Sequence, residues 1–201
     1  MYRPAPPQSR ATLVLGLYGG LALFGLLLAA GRGDADVYSP YPRAAWWHLV
    51  SPLLGLVLGL LVVLASRLAV ARLGWARSLH RDFRALLGDV SSREIMILAV
   101  ASSIGEEVLF RGALQPWLGL GPQAALFALL HVGPGRRFLP WTLWALVMGL
   151  VFGALVELTG DLGAPIVAHF TINFLNLHYI ARVELPARPR LTPPALSEPL
   201  P

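Results

Sequence analysis

Glu106 and Glu107 stand side by side, with Arg111 four residues on, in a stretch reading ASSIGEEVLFRGAL over 101–114 that is otherwise lipid-soluble. Further along, His131 closes an apolar run, and His169 and Asn173 lie four apart in another. Ionisable groups at membrane depth cost several kcal/mol each unless they are paired or face a wet cavity, so they mark a candidate functional site. Glu107 and Arg111 have the i,i+4 spacing at which a carboxylate and a guanidinium meet on one helix face, the signature of a structural ion pair. Glu106 is rotated about 100° away and lacks that partner, which leaves it free to take a proton from water as a general base. His169, Asn173 and Asn176 fall within about 60° of one another at helical phase, with Thr171 and His178 opposite. A His and an Asn one turn apart are two donors able to stabilise an oxyanion during attack on an amide carbonyl.

The rest of the chain states the solvent. Of 201 residues, 56% are hydrophobic and 13% charged, and the mean hydropathy is +0.63, so the composition is that of a polytopic all-α membrane bundle. The absence of Cys excludes disulfides, thiol catalysis and thiolate metal sites. All 16 basic residues are Arg, and they fall between apolar segments rather than on one face. That distribution suits anionic lipid headgroups and argues against nucleic acid as a partner of this +5 chain.

Six segments emerge, at 11–30, 49–66, 95–118, 122–132, 138–156 and 162–181. The first is uncharged and longer than a secretory signal core of ~7–15 residues, so it reads as a retained anchor. With the N-terminus inside, 13 arginines fall on the inner side and only Arg32 and Arg43 outside, which gives an N-in, C-in topology. The expected location is the inner membrane of a bacterium. The six Trp lie at segment ends as interfacial anchors, and Glu157 and Asp161 read as solvated residues near an outer end. Trp75, Leu79, Phe83, Leu86 and Val90 recur at helical spacing beside Arg77, Arg81 and Arg84. They form either an amphipathic helix on the inner leaflet or a solvated basic connector. The organisation is therefore accessory spans and connector over 1–91, a core over 92–182, and a tail over 183–201 that carries six prolines and is expected to be disordered.

Counting depth at the helical rise tests whether the polar groups can meet. Glu106 comes ~20 Å above the inner face, His131 ~15 Å, His169 ~21 Å and Asn173 ~15 Å. All four share one layer near mid-membrane. The fourth segment is too short to cross, so VGPGRRF over 132–138 must return the chain in extended form, allowed only where backbone is buried or lines a cavity.

At these residues the chain resembles the CPBP family of CAAX-protease and bacteriocin-processing intramembrane endopeptidases. EEVLFRG over 106–112 matches its Glu-Glu-x-x-x-Arg motif, FALLH over 127–131 its second motif, and HFTIN over 169–173 its His-x-x-x-Asn motif. The resemblance covers 92–181 and leaves the first two spans as variable accessory helices. It implies an intramembrane endopeptidase acting on a membrane-anchored protein or peptide, by analogy one with a C-terminal sorting tail. Glu106 would activate water with help from His131, His169 and Asn173 would form the oxyanion site, and Glu107 with Arg111 would hold the architecture. The family has been described both as zinc-dependent and as glutamate-type. Glu106, His131 and His169 could make a three-ligand zinc site, but Glu106 cannot readily be both ligand and free base, so catalysis without a metal is expected. A rhomboid-like serine protease would instead pair Ser102 or Ser103 with His169 and leaves Glu106 and His131 without a role. A binding, immunity or scaffold protein with a polar midplane is the non-enzymatic alternative.

Overall fold

The computed structural model describes residues 7–34 and 36–186, and among these there are helices and connections but no strand. Of the tail expected to be disordered over 183–201, residues 187–201 lie outside the described residues, as do the first six, while Val183 O and Pro186 O accept from His80 and Arg81.

Three helices are long and apolar enough to cross a membrane: Arg10–Gly31, Trp47–Arg72 and Arg136–Thr159. The first belongs to α1 (Pro7–Gly31) and the second is α2 (Trp47–Arg72). The third joins a 3-10 turn, Arg136–Phe138, to α7 (Leu139–Thr159). Their leucines stand outward, Leu13, Leu17, Leu61 and Leu143 among them, as a lipid-facing surface requires. The chain is an integral membrane protein built as a helical bundle.

α1 runs parallel to α4 (Ser92–Glu107) with the two in register. Arg10 Nη1 donates to Asp89 O at one end (3.1 Å) and Arg32 Nη1 donates to Ala113 O at the other (2.7 Å). Midway, Gly105 permits the contact, since a Cβ there would stand 2.5 Å from Tyr18 O. α4 starts on a capping box: the Ser91 hydroxyl accepts from Glu94 N and the Glu94 carboxylate accepts from Ser91 N.

α2 lies parallel to α8 (Gly163–Arg182). Gly55 sits so close to Ala164 O that no side chain fits between them, and Thr171 packs against Gly59, which confirms that Thr171 faces away from the candidate site. Arg67 closes the far end of this pair on Leu175 O and on Asn176 Oδ1, both at 2.8 Å. Asn176 is therefore taken up by α2 and does not continue the polar stripe expected for it.

The short α6 (Leu120–Leu130) packs against α7, where Gly149 meets Ala124. It ends at His131, as its length implied. The return is not extended throughout, because Arg136–Phe138 wind into the 3-10 turn that leads into α7. Phe138 is buried and brings its ring against Phe83 and Trp141.

The amphipathic segment forms α3 (Gly74–Leu87). Rather than standing apart, it caps α8: Arg84 Nη1 donates to Ile180 O (2.9 Å) and Ala181 O (2.6 Å), and Arg81 donates to Pro186 O. Cations on the last carbonyls of a helix oppose the negative end of its dipole. Val90 falls outside this helix.

Candidate active site

α4 continues into a π-helical stretch, Val108–Leu114, and then into α5 (Gln115–Leu118). Such insertions are rare and frequent at functional sites, and ordinary α-helical phase does not anticipate one. The stretch begins immediately after Glu107 and carries Arg111 into the middle of the bundle.

Arg111 is fully buried and its Nη1 donates to Glu107 Oε1 at 3.0 Å. The guanidinium carbon lies 4.3 Å from the Phe127 ring centroid and 5.4 Å from that of Phe152, so aromatic faces replace water around the cation. Glu107 has a second partner that spacing on one helix could not reveal. His169 Nδ1 lies 2.7 Å from the same Oε1. Because that carboxylate is already paired with Arg111, Nδ1 is the donor, and the His169 ring is held with Nε2 turned the other way.

That Nε2 points at Glu106, 3.8 Å from Oε2. His131 Nε2 lies 3.8 Å from the same oxygen. The His131 ring is oriented from behind, since its Nδ1 donates to Phe127 O at 2.7 Å. Phe127 stacks beside that ring with centroids 4.3 Å apart, and Trp141 meets it edge-on at 5.3 Å. Trp141 thus packs on a site residue instead of serving only as an interfacial anchor. Neutral, both imidazoles present an Nε2 lone pair toward one carboxylate oxygen. Glu106 Oε2 is buried and has no hydrogen-bond partner, and 3.8 Å is too long for a direct hydrogen bond from either ring.

Glu106, His131 and His169 therefore come together, with Glu107 and Arg111 behind His169. Asn173 stands one turn further along α8, and its Nδ2 donates to Ser102 Oγ (3.0 Å) rather than to a member of that trio. Ser102 Oγ is directed at Ala99 O (3.4 Å) and Ser103 Oγ at Val100 O (3.1 Å). Both ring nitrogens of His169 face carboxylates, so neither serine has the His partner a serine mechanism requires.

The five buried side-chain polar atoms without a partner among the described residues are Glu106 Oε2, Glu107 Oε2, Arg111 Nε, Gln115 Oε1 and Gln123 Oε1. Arg111 Nη2 and Gln123 Nε2 share Gly149 O (3.4 and 3.1 Å), and Gln115 Nε2 donates to Gly153 O (3.0 Å) and to Glu157 Oε1 (3.1 Å). Glu157 is exposed but engaged. Asp161, expected to be solvated, is 1% exposed and fully bonded. The two glutamines carried no sequence signal, because nothing in their spacing separates a buried amide from an interfacial one.

A zinc site needs three donors that converge within bonding distance of one point. Among the described residues no group of three or more His, Asp or Glu could hold a metal ion, Cys being absent from the chain.

Comparison with known proteins is consistent with this geometry. Residues 91–175 match the family model described as type II CAAX prenyl endopeptidase Rce1-like, a segment that contains every one of these residues. Over 81 residues the chain is 38% identical to the uncharacterized protein YpbD of Bacillus subtilis (strain 168), a match covering 39% of this chain and 41% of that protein. The chain thus spans about two fifths of that relative's length. No solved structure matches the chain. The accessory helices α1 and α2 lie outside the matched family segment.

Proposed function

We propose that this protein is an intramembrane endopeptidase of glutamate type, located in a bacterial inner membrane and acting on a membrane-anchored protein or peptide. The observation that carries the reading is the buried, unpartnered Glu106 Oε2 facing two imidazole nitrogens, each 3.8 Å away. A bridging water donates to Glu106 Oε2 and to His131 Nε2 and accepts from His169 when that ring carries a proton on Nε2, since 3.8 Å is too long for a direct bond from either ring to Glu106.

In the proposed reaction Glu106 Oε2 takes one water proton as the water oxygen bonds to the scissile carbonyl carbon. His131 Nε2 accepts a hydrogen bond from the other O–H of the water, which keeps that proton, and so aims the attack, its tautomer set by Phe127 O. The carbonyl becomes an oxyanion. His169 stabilises it when protonated at Nε2, because its Nδ1–H is already committed to Glu107. With that proton the buried set Glu106, Glu107, Arg111 and His169 is electrically neutral. Asn173 has a second amide hydrogen to offer while its first remains on Ser102. When the C–N bond breaks, Glu106 returns its proton to the leaving nitrogen, so acid and base are one residue. Glu107 holds both the Arg111 cation and the His169 ring.

The site depth counted from helical rise and the match to a CAAX endopeptidase model support the substrate class proposed. A peptide bond reaching this layer belongs to a chain anchored in the bilayer, and C-terminal sorting tails are the class we favour. The test is proteoliposomes carrying the full-length protein and a membrane-anchored substrate with a C-terminal tail, with products read by mass spectrometry. Wild type should yield a new C-terminus and Glu106→Gln none; equal product from both defeats the assignment. Tight chelators should leave the wild-type rate unchanged, and a loss restored by zinc would refute the metal-independent form.

A further inference from the structure

Glu106 and His169 stand within helices, whereas His131 follows the last residue of α6 and precedes a return that carries glycines at 133 and 135, with Gly135 at φ +96°. Helix ends fray unless something holds their last groups. Two bonds inside α6 shape this one: His131 N donates to Ala128 O (2.9 Å) and His131 Nδ1 to Phe127 O (2.7 Å). Both set the residue relative to α6 alone. Neither fixes where that end stands with respect to Glu106, which α4 carries.

The hold from outside α6 comes from the start of α7, where Thr142 Oγ1 donates to His131 O at 2.9 Å. A threonine hydroxyl inside a helix commonly bonds back to a carbonyl one turn before it, as Thr171 does to Val167 O (2.7 Å) and Thr159 to Leu155 O (2.9 Å). Thr142 instead spends its donor on a carbonyl that the end of α6 leaves without an intrahelical partner. Beside it Trp141 meets the imidazole edge-on, and Phe83 of α3 backs the indole with ring centroids 5.0 Å apart. Gly133 is packed down on the same corner, since a Cβ there would stand 2.5 Å from Phe138 Cβ.

Resting on the water-aiming role proposed for His131, we propose that Thr142 is a positioning residue of the active site: its hydroxyl ties the end of α6 to α7 and so keeps His131 Nε2 one water's width from Glu106 Oε2. The gap of 3.8 Å suits a single bridging water. A drift of the helix end by about 1 Å would spoil it, and misplacement on that scale can cost about 100-fold in rate.

The test is Thr142→Val in the full chain in proteoliposomes, a change that keeps the branched shape and removes the donor. kcat should fall about 10-fold, short of the loss for a full misplacement, while KM changes less than about 2-fold. Thr142→Ser, which keeps the hydroxyl, should retain most of the wild-type rate. Thr159→Val removes a hydroxyl from the other end of the same helix and should leave kcat unchanged, which separates positioning from a general weakening of α7. An unchanged kcat in Thr142→Val, an equal loss in Thr142→Ser, or an equal loss in Thr159→Val overturns the proposal. A readout independent of turnover separates this from failure of the protease reading. In nitrogen NMR of protein labelled at histidine, the ring signal that His131→Gln deletes should move in Thr142→Val and stay in Thr159→Val. A moved signal in a chain that cleaves nothing would support the tether while removing the protease, and an unmoved signal refutes the tether outright.

Discussion

Two buried acids paired with histidine occupy different levels of this bundle, and they are finished differently. Near the loop joining α7 to α8, Asp161 Oδ2 meets His48 Nδ1 at 2.8 Å, while Oδ1 accepts from Ser51 Oγ (2.5 Å) and Gly163 N (2.8 Å). Ser51 Oγ in turn accepts from Ala164 N at 2.7 Å. Every acceptor is used, and the cluster ties the start of α2 to the start of α8. In the middle layer Glu106 also faces histidine, but at a distance too long to bond and with Oε2 unpartnered. A buried carboxylate with all its bonds made stabilises the fold, whereas one left open at a cost in stability is set up to receive something. The presence of an acid and a histidine together does not mark a reactive site, and neither does an unfilled acceptor alone, since Glu107 Oε2 is also unpartnered; an unfilled oxygen that two imidazoles face without bonding does.

The comparison can be broken at several points. Arg111→Met should have the largest effect, because it strands Glu107 in an apolar layer. A loss of about 3–5 kcal/mol, read as collapse of folded protein in detergent extraction and thermal unfolding, is expected. Survival of a folded, stable variant would mean that Glu107 is not held as an ion. His131→Gln should reduce kcat about 100-fold with little change in unfolding temperature, as removal of a group that orients the attacking water does. Asp161→Asn reverses that pattern. It disturbs three bonds at once and should cost about 1–3 kcal/mol of stability while the folded fraction keeps its turnover. Ser51→Ala should cost about 1 kcal/mol for the same reason on a smaller scale, again without effect on rate per folded molecule.

Much of the middle layer was legible in the sequence because few residues can be there by accident. Glu106, Glu107, Arg111, His131 and His169 announce themselves by charge in apolar runs, and counting helical rise brought the first glutamate and both histidines to one level, where they meet. The short fourth helix ending on His131 followed from the same count. What stayed hidden depends on cross-helix contact. Glu107 gripping His169 needs the crossing of α4 and α8, and Asn176 went to Arg67 because α2 was free to pass beside it. The π-helical stretch leaves no mark in residue spacing, and Asp161 resembled a solvated loop acid until α2 was placed over it.

The decisive measurement is a paired one, turnover and thermal midpoint of Glu106→Gln set against those of Asp161→Asn in the same proteoliposome preparation. The account predicts opposite profiles: Glu106→Gln keeps the wild-type midpoint and loses at least about 1,000-fold in kcat, within the range of a missing general base. Asp161→Asn melts earlier and turns over normally while folded. If the two variants lose rate and stability in the same proportion, or if Glu106→Gln still cleaves, the distinction between a finished and an open carboxylate is wrong.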